Sequence, residues 1–207
     1  MKAFTETLNQ GLVWLPELGI GHYPVPQDCR PYDDSYFSNY QSLADTVIGK
    51  KLTQARIDMI ARHYTGSVVD VGIGSGIFVE SRAHTTGYDV NPKGIEWLRQ
   101  RDLWSDLYQH TYPALSFWDS LEHIDRPDIA VAQSQRWVFV SIPVFRNGEH
   151  VLRSKHFKPA EHIWYWSHEG VISWFLEQGF ALAEYNDIES QHGREGIHSY
   201  AFVRIFQ

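Results

Sequence analysis

VVDVGIGSGIFVE, running from Val68 to Glu80, is the stretch whose reading decides the fold. An apolar, β-branched run stops at a loop with glycine at every second position: Gly72, Gly74 and Gly76. Glycine is favoured where the chain needs positive φ or where another group must touch the backbone. At the carboxyl end of a buried parallel strand, such a turn faces the crevice in which α/β sheets bind ligands. A tight strand-to-helix turn with no ligand is the bland alternative. Three glycines directly after the strand, with an acidic residue ending the next one, favour a nucleotide-like ligand.

Outward from this turn, strands and helices alternate. Upstream, a helical reading begins near Asp33-Asp34-Ser35, and SLADTVIGKKLTQARIDMIARHY then places Leu52, Ala55, Met59, Ile60 and His63 at helical spacing, with Gly66 as a stop. The first thirty or so residues, rich in Gly and Pro, read as an irregular arm. Downstream, a short helix near Ile77 to Ser81 precedes the strand TTGYDV. Asn91 caps and Pro92 opens the helix PKGIEWLRQRDLW. ALSFWDSL and RWVFVSIPVF are further strands. The polar, aromatic RNGEHVLRSKHFKPAEHIWYW leads to a capped helix, SHEGVISWFLEQGF. The closing runs FALAEYND and HSYAFVRIFQ have no helix between them and should pair as an antiparallel hairpin at one edge. The expected fold is α/β: a Rossmann-like, doubly wound, mostly parallel sheet with a reversed C-terminal strand. One domain is expected, with an arm and helix over 1–50 and the core over 51–207.

Composition narrows the partners. Hydrophobic residues make up 43% and charged residues 21% of the chain, as in ordinary globular proteins. The N-terminus has no long apolar segment with a cleavage pattern, and no stretch approaches the ~20 apolar residues of a spanning helix. The single cysteine, Cys29, excludes an internal disulfide and Cys-based zinc fingers. A cytoplasmic protein with no membrane partner is expected. A net charge of −7 argues against a broadly cationic surface for nucleic acid, although Arg146, Arg153, Lys155 and Lys158 fall close together. A small-molecule partner is therefore favoured.

The ligand can be narrowed further. A dinucleotide fold wants GxGxxG, and the place of its third glycine is Ile77 here. Asp70, near the end of the first strand, would repel a pyrophosphate but could orient an amino-acid ammonium through water. Asp89, ending the second strand, can accept hydrogen bonds from two ribose hydroxyls. A ribose plus a zwitterionic tail and no phosphates describes S-adenosyl-L-methionine.

VVDVGIGSG, GYDVNP and FWDSLEHI, with the closing hairpin, resemble the class I S-adenosylmethionine-dependent methyltransferases from about Leu52 to the C-terminus. RPYDDSYFSNY, SKHFKPAEHIWYW and GREGIHSYAF resemble an uncharacterised bacterial and phage subgroup. The resemblance implies a seven-stranded sheet and cofactor contacts at Asp70, Gly72, Gly74, Gly76, Asp89 and Val90, with Trp118 and Asp119 nearby. The stretch between Leu103 and Phe117 is short for a third strand, and Asp106 is a weak candidate for the acidic residue that contacts adenine.

Methyl transfer needs a positioned nucleophile, exclusion of water and, for a protonated nucleophile, a base. Among 11 histidines, His123 and His162 are the catalytic candidates, with His156 and His168 in the same downstream segment as His162. Each has a competing structural reading: a packed turn for His123, an aromatic lid for His162. RPYDDSYFSNY likewise reads as a lid or as a staple for the first helix. Asp119, Glu122 and His123 also echo the ligands of some magnesium-dependent O-methyltransferases, with His156 or His162 completing the shell, yet many metal-free members carry LEHI, so a metal-free site is expected. The expected activity is methyl transfer to an O- or N-nucleophile. A non-catalytic module that binds the same cofactor is the alternative.

Overall fold

The computed structural model describes residues 6–7, 11–24 and 34–205. In chain order, β1 (Glu6–Thr7), β2 (Val13–Leu15) and β3 (Ile20–His22) precede α1 (Asp34–Ala44) and α2 (Val47–His63). Then come β4 (Val68–Val71), α3 (Ile77–Ser81), β5 (Thr85–Tyr88), α4 (Pro92–Arg99) and β6 (Tyr112–Trp118). The chain continues through α5 (Pro127–Ala132), β7 (Ser134–Pro143), α6 (Gly148–Arg153), β8 (Trp164–Trp166) and α7 (His168–Glu177). It closes with β9 (Phe180–Asn186), α8 (Ile188–Gln191) and β10 (Ile197–Arg204), and a 3-10 turn, Leu121–His123, follows β6.

The central sheet has the order β5-β4-β6-β7-β10-β9. β4 pairs in parallel with β5 and β6, and β6 with β7; β10 runs antiparallel to β7 and β9. The reversed final strand and the antiparallel pairing of the closing strands are as expected, but the link between them is not helix-free: it holds the four-residue α8. The strand number also departs from expectation: among the described residues the central sheet has six strands, not seven. The missing third strand is reduced to one parallel bridge, Gly87 with Trp104, in which Gly87 N donates to Leu103 O and Ser105 N to Gly87 O. The chain leaves at once into a turn closed by Tyr108 N on Asp106 Oδ1 at 3.0 Å, so the ladder cannot extend.

Alternation along the strands feeds two cores. Val69, Val71, Leu115, Phe117, Val138, Val140, Tyr200 and Phe202 face α5 and α7 through Ala130, Val131, Val171 and Phe175. Val68, Ala114, Trp118, Phe139 and Ala201 face the other way, onto Met59 and Ile60 of α2 and Phe78 of α3. The period of two in each strand places helices on both faces. Caps set the helix starts: the side chains of Thr46, Asn91 and Ser167 accept from the backbone N–H groups of Gly49, Lys93 and Gly170.

Residues 11–24 are not an irregular arm. β2 and β3 form a hairpin, and β3 pairs with β8 in a second sheet of order β1-β2-β3-β8. Gly21 permits this: a Cβ there would lie 2.8 Å from the Trp14 ring and 3.3 Å from Tyr165 Cβ. The hairpin covers Phe145, Val151 and Tyr165 with Leu12 and Trp14. No helix among the described residues is long and apolar enough to cross a membrane.

Candidate active site

The glycine turn owes its composition to the protein's own packing as well as to its backbone. Gly72, Gly74 and Gly76 all have positive φ, at 79°, 54° and 81°. A Cβ on Gly72 would fall 2.6 Å from Ser120 Cβ, and one on Gly76 would fall 2.6 Å from the Trp97 ring. At Gly74 the neighbour is the Tyr40 ring, 3.3 Å from the position of a Cβ. The backbone is thus stripped of side chains so that β6, α4 and α1 can close on it.

A cavity of about 530 Å³ opens at the carboxyl ends of β4, β5 and β6, within the range of small-ligand sites. Gly72 and Gly74 line it from the turn, Asp89 and Val90 from the end of β5, and Trp118, Asp119 and His123 from the end of β6. Of the residues singled out from sequence, Asp70, Gly76, Glu122 and His162 do not line it.

Asp89 ties the turn to β5. Its Oδ2 accepts from Ile73 N at 2.9 Å and its Oδ1 from Asn91 N at 2.7 Å. Burial raises its pKa, and the backbone donors at Asn91, Ile73 and Val90 oppose that rise. Asp70 is 1% exposed, beneath the turn, and accepts from Ser116 Oγ at 2.7 Å. Burial outweighs that bond and pushes its pKa up to about 7.

Asp119 adopts φ 56° and sits in a four-residue ion network. Its Oδ2 accepts from Arg56 Nη2 at 3.1 Å and from Arg194 Nη1 at 2.5 Å; both arginines also bind the fully buried Glu189. Burial works against the Asp119 charge, but Arg194 and Arg56 outweigh it and hold the carboxyl below its usual range. Asp119 is therefore committed to arginines, and the alternative set of Asp119, Glu122 and His123 does not come together as a group of metal donors.

Another cluster does. His123 and His162 meet edge to face with ring centroids 4.6 Å apart, and Glu122 completes a group whose donor atoms all lie within 4.8 Å of one another. Burial lowers the pKa of His123 to about 4 and of His162 to about 2, so both rings are neutral at physiological pH. Burial, reinforced by Asp119, raises that of Glu122 well above the carboxylate range.

The other histidines serve elsewhere: His156 Nε2 meets Glu195 O at 2.8 Å, and His168 Nδ1 meets Tyr200 Oη at 3.0 Å. Asp106 is turned into its own loop, and Tyr108 lines the cavity in its place, edge to face with Tyr88 at 5.7 Å. Tyr40 and Phe37 bring α1 to the cavity wall, so this part of RPYDDSYFSNY both lines the site and staples α1: Phe37 packs on Ile73, Val79 and Leu98. Residues 30–33 of that stretch lie outside the described residues. Tyr108 and Arg194 went unassigned from sequence. Tyrosine in the polar loop DLYQHTY was the one available signal for Tyr108, and no local signal pointed to Arg194.

Solved structures share this architecture at low sequence identity. Magnesium protoporphyrin IX methyltransferase from Synechocystis PCC 6803, with bound S-adenosylhomocysteine, is 15% identical with a TM-score of 0.60, over 84% of this chain and 96% of that one. The N-methyltransferase NodS from Bradyrhizobium japonicum, also bound to S-adenosylhomocysteine, is 14% identical with a TM-score of 0.57, over 84% and 100%. Burkholderia thailandensis 1,6-didemethyltoxoflavin-N1-methyltransferase is 12% identical with a TM-score of 0.56, over 99% and 100%. The fold is that of the class I methyltransferases. A search of curated proteins finds no significant match. The sequence profile described as "Methyltransferase domain" matches residues 40–185, which span β4 to β9 and every residue lining the cavity except Phe37. The chain belongs to the methyltransferase-domain family.

Proposed function

We propose that the chain is an S-adenosyl-L-methionine-dependent methyltransferase acting on an oxygen or nitrogen nucleophile of a small-molecule acceptor. The observation that carries this reading is the Asp89 carboxylate at the cavity wall, held by two backbone N–H groups beside the glycine turn. Each oxygen keeps acceptor capacity for a ribose hydroxyl. Among the described residues Arg126 is the one lysine or arginine lining the cavity, and it is bound to Asp128, so the lining favours no string of phosphates. The same fold binds S-adenosylhomocysteine in the solved relatives, which supports the choice of cofactor.

In this reading Gly72 and Gly74 let the cofactor approach the backbone, while Gly76 acts by shaping the turn. Val90 and Tyr108 cover the base. Asp70, buried beneath the turn and outside the cavity lining, acts on the ammonium through water, and Trp118 and Asp119 form the floor. Bound there, the cofactor supplies a sulfonium methyl, to which an acceptor lone pair bonds while the C–S electron pair goes to sulfur. His123, on the wall after β6, faces the acceptor and takes its proton, backed by His162. The ring is neutral and can accept a proton, while the burial that lowers its pKa to about 4 makes it a weak base until the site is polarised by acceptor and cofactor. The chain's net charge of −7 supports a small acceptor over nucleic acid. A cytoplasmic setting and the bacterial and phage subgroup belong to the same reading.

The test is release of S-adenosylhomocysteine from S-adenosylmethionine across a panel of phenols, catechols and amines. Turnover with any of them, lost in Asp89→Ala, supports the reading. Cofactor binding without turnover on any acceptor would favour a non-catalytic module.

A further inference from the structure

Glu122, His123 and His162 form a buried cluster whose polar atoms are not satisfied within the protein. Glu122 is 1% exposed and neither carboxylate oxygen has a hydrogen-bond partner; the Nδ1 atoms of His123 and His162 have none either. Glu122 Oε1 stands 3.9 Å from His123 Nε2, too far for a hydrogen bond. Buried groups of this kind are costly to leave unpaired. The neighbouring cations are engaged elsewhere: Arg56 and Arg194 with Asp119 and Glu189, Lys158 with Glu161.

The cluster is also held rigidly. Ile163 N donates to Glu122 O at 2.9 Å, joining the 3-10 turn after β6 to the segment that carries His162. Trp164 Nε1 donates to Ile124 O at 3.0 Å, and Tyr165 Oη to His162 O at 3.2 Å. Donor atoms around an ion bound at about 2.1 Å lie roughly 3–4 Å apart. The donors here already lie within 4.8 Å of one another, close to that spacing.

We propose that Glu122, His123 and His162 bind a divalent transition-metal ion, and that the open positions of the ion receive an oxygen of the methyl acceptor. Two imidazoles and one carboxylate are a donor set for zinc, iron(II) or cobalt(II). Magnesium and calcium prefer all-oxygen surroundings. Three protein ligands with an open side are the arrangement of a reactive site, not of a closed structural one. His123 lines the cavity, so the cluster borders the space in which substrate would sit, while Glu122 and His162 are outside that lining.

The metal-binding half of the inference stands on the cluster alone; the acceptor half rests on the methyl-transfer reading. In the metal-bound form His123 is a ligand and no longer takes the proton. The acceptor hydroxyl loses its proton to water, its oxygen bonds to the sulfonium methyl carbon, and the C–S pair goes to sulfur.

The experiment strips the full chain with a chelator and titrates it with cobalt(II), following visible d–d absorption and bound metal by mass spectrometry. Expected are one cobalt per chain, displacement by zinc but not by millimolar magnesium, and loss of affinity of at least about 10–100-fold in Glu122→Gln and His162→Gln, the scale seen when even an outer-shell partner is changed. Absence of stoichiometric cobalt in the wild type, or unchanged affinity in both variants, overturns the site. Should the variants not fold, X-ray absorption of the zinc-loaded wild type decides, since lack of imidazole scattering overturns it equally. Titration of S-adenosylhomocysteine into the metal-free wild type separates the two readings. Binding there is expected, and its failure beside intact cobalt binding would sink the methyl-transfer reading and with it the acceptor half, while the metal site stands.

Discussion

Asp89 Oδ2 accepts the Ile73 backbone N–H at 2.9 Å, so the carboxylate that faces the cavity also holds the glycine turn in place. The turn and the end of β5 are thereby one rigid unit before any ligand arrives. Such preorganisation reduces the ordering cost of binding.

Gly76→Ala tests the turn. The position has φ 81°, and a Cβ would meet the Trp97 ring at 2.6 Å. Left-handed strain alone costs an L-residue about 1–2 kcal/mol. With the clash added, a fall in Tm of roughly 5–10 °C is expected on thermal melting. An unchanged Tm would mean that the turn and α4 are not packed as described.

Arg194→Ala leaves the fully buried Glu189 with half its compensation and removes one of the two cations on Asp119. Breaking a buried pair by removing one partner costs about 3–5 kcal/mol. Arg62→Ala breaks a pair with Glu184 in which the arginine side chain is 50% exposed, and should cost about 1 kcal/mol or less. Urea unfolding of the two variants measures the contrast, and equal losses would refute it.

Asp70 gives a pH signature of its own. Its folded pKa, about 7, lies above the unfolded value near 3.8, because burial disfavours the charge. Between those values the folded state holds the extra proton, so the Asp70 contribution to stability falls as pH rises from about 4 to 7 and is flat above. Other carboxylates, such as Glu184, have the opposite slope because their pKa is depressed. The readout is therefore the difference between wild type and Asp70→Asn, with the variant gaining relative stability across that window. A difference independent of pH would show that Asp70 is not held protonated.

Tyr108→Ala addresses the cavity lining. The side chain is about half exposed, at 47%, so its loss should leave Tm nearly unchanged. If its ring covers the cofactor base, calorimetry should show affinity falling about tenfold, or ~1.4 kcal/mol. No change in affinity would move the base to another wall.

What the sequence made legible was local. The strand before the glycine turn, the caps at Asn91 and Ser167, and the short link between β9 and β10 each carry a short-range signal, although the four-residue α8 inside that link carried none. The β2–β3 hairpin carried none, since strands of three residues among Gly and Pro have no visible period, and the partner that completes their sheet is β8, far along the chain. The third strand failed because Gly87 finds its neighbour in a single residue, Trp104. At the site, Asp89 could be read because it ends a strand beside the turn. The fate of Asp119 depends on Arg56 and Arg194, which only the tertiary fold brings together.

The most direct test of the account is isothermal titration of S-adenosylmethionine into the wild type and Asp89→Ala, with a thermal melt of each. The account predicts micromolar binding to the wild type and its loss in a variant that still melts cooperatively. A well-folded wild type that binds neither S-adenosylmethionine nor S-adenosylhomocysteine, or that binds NADH instead, would contradict it.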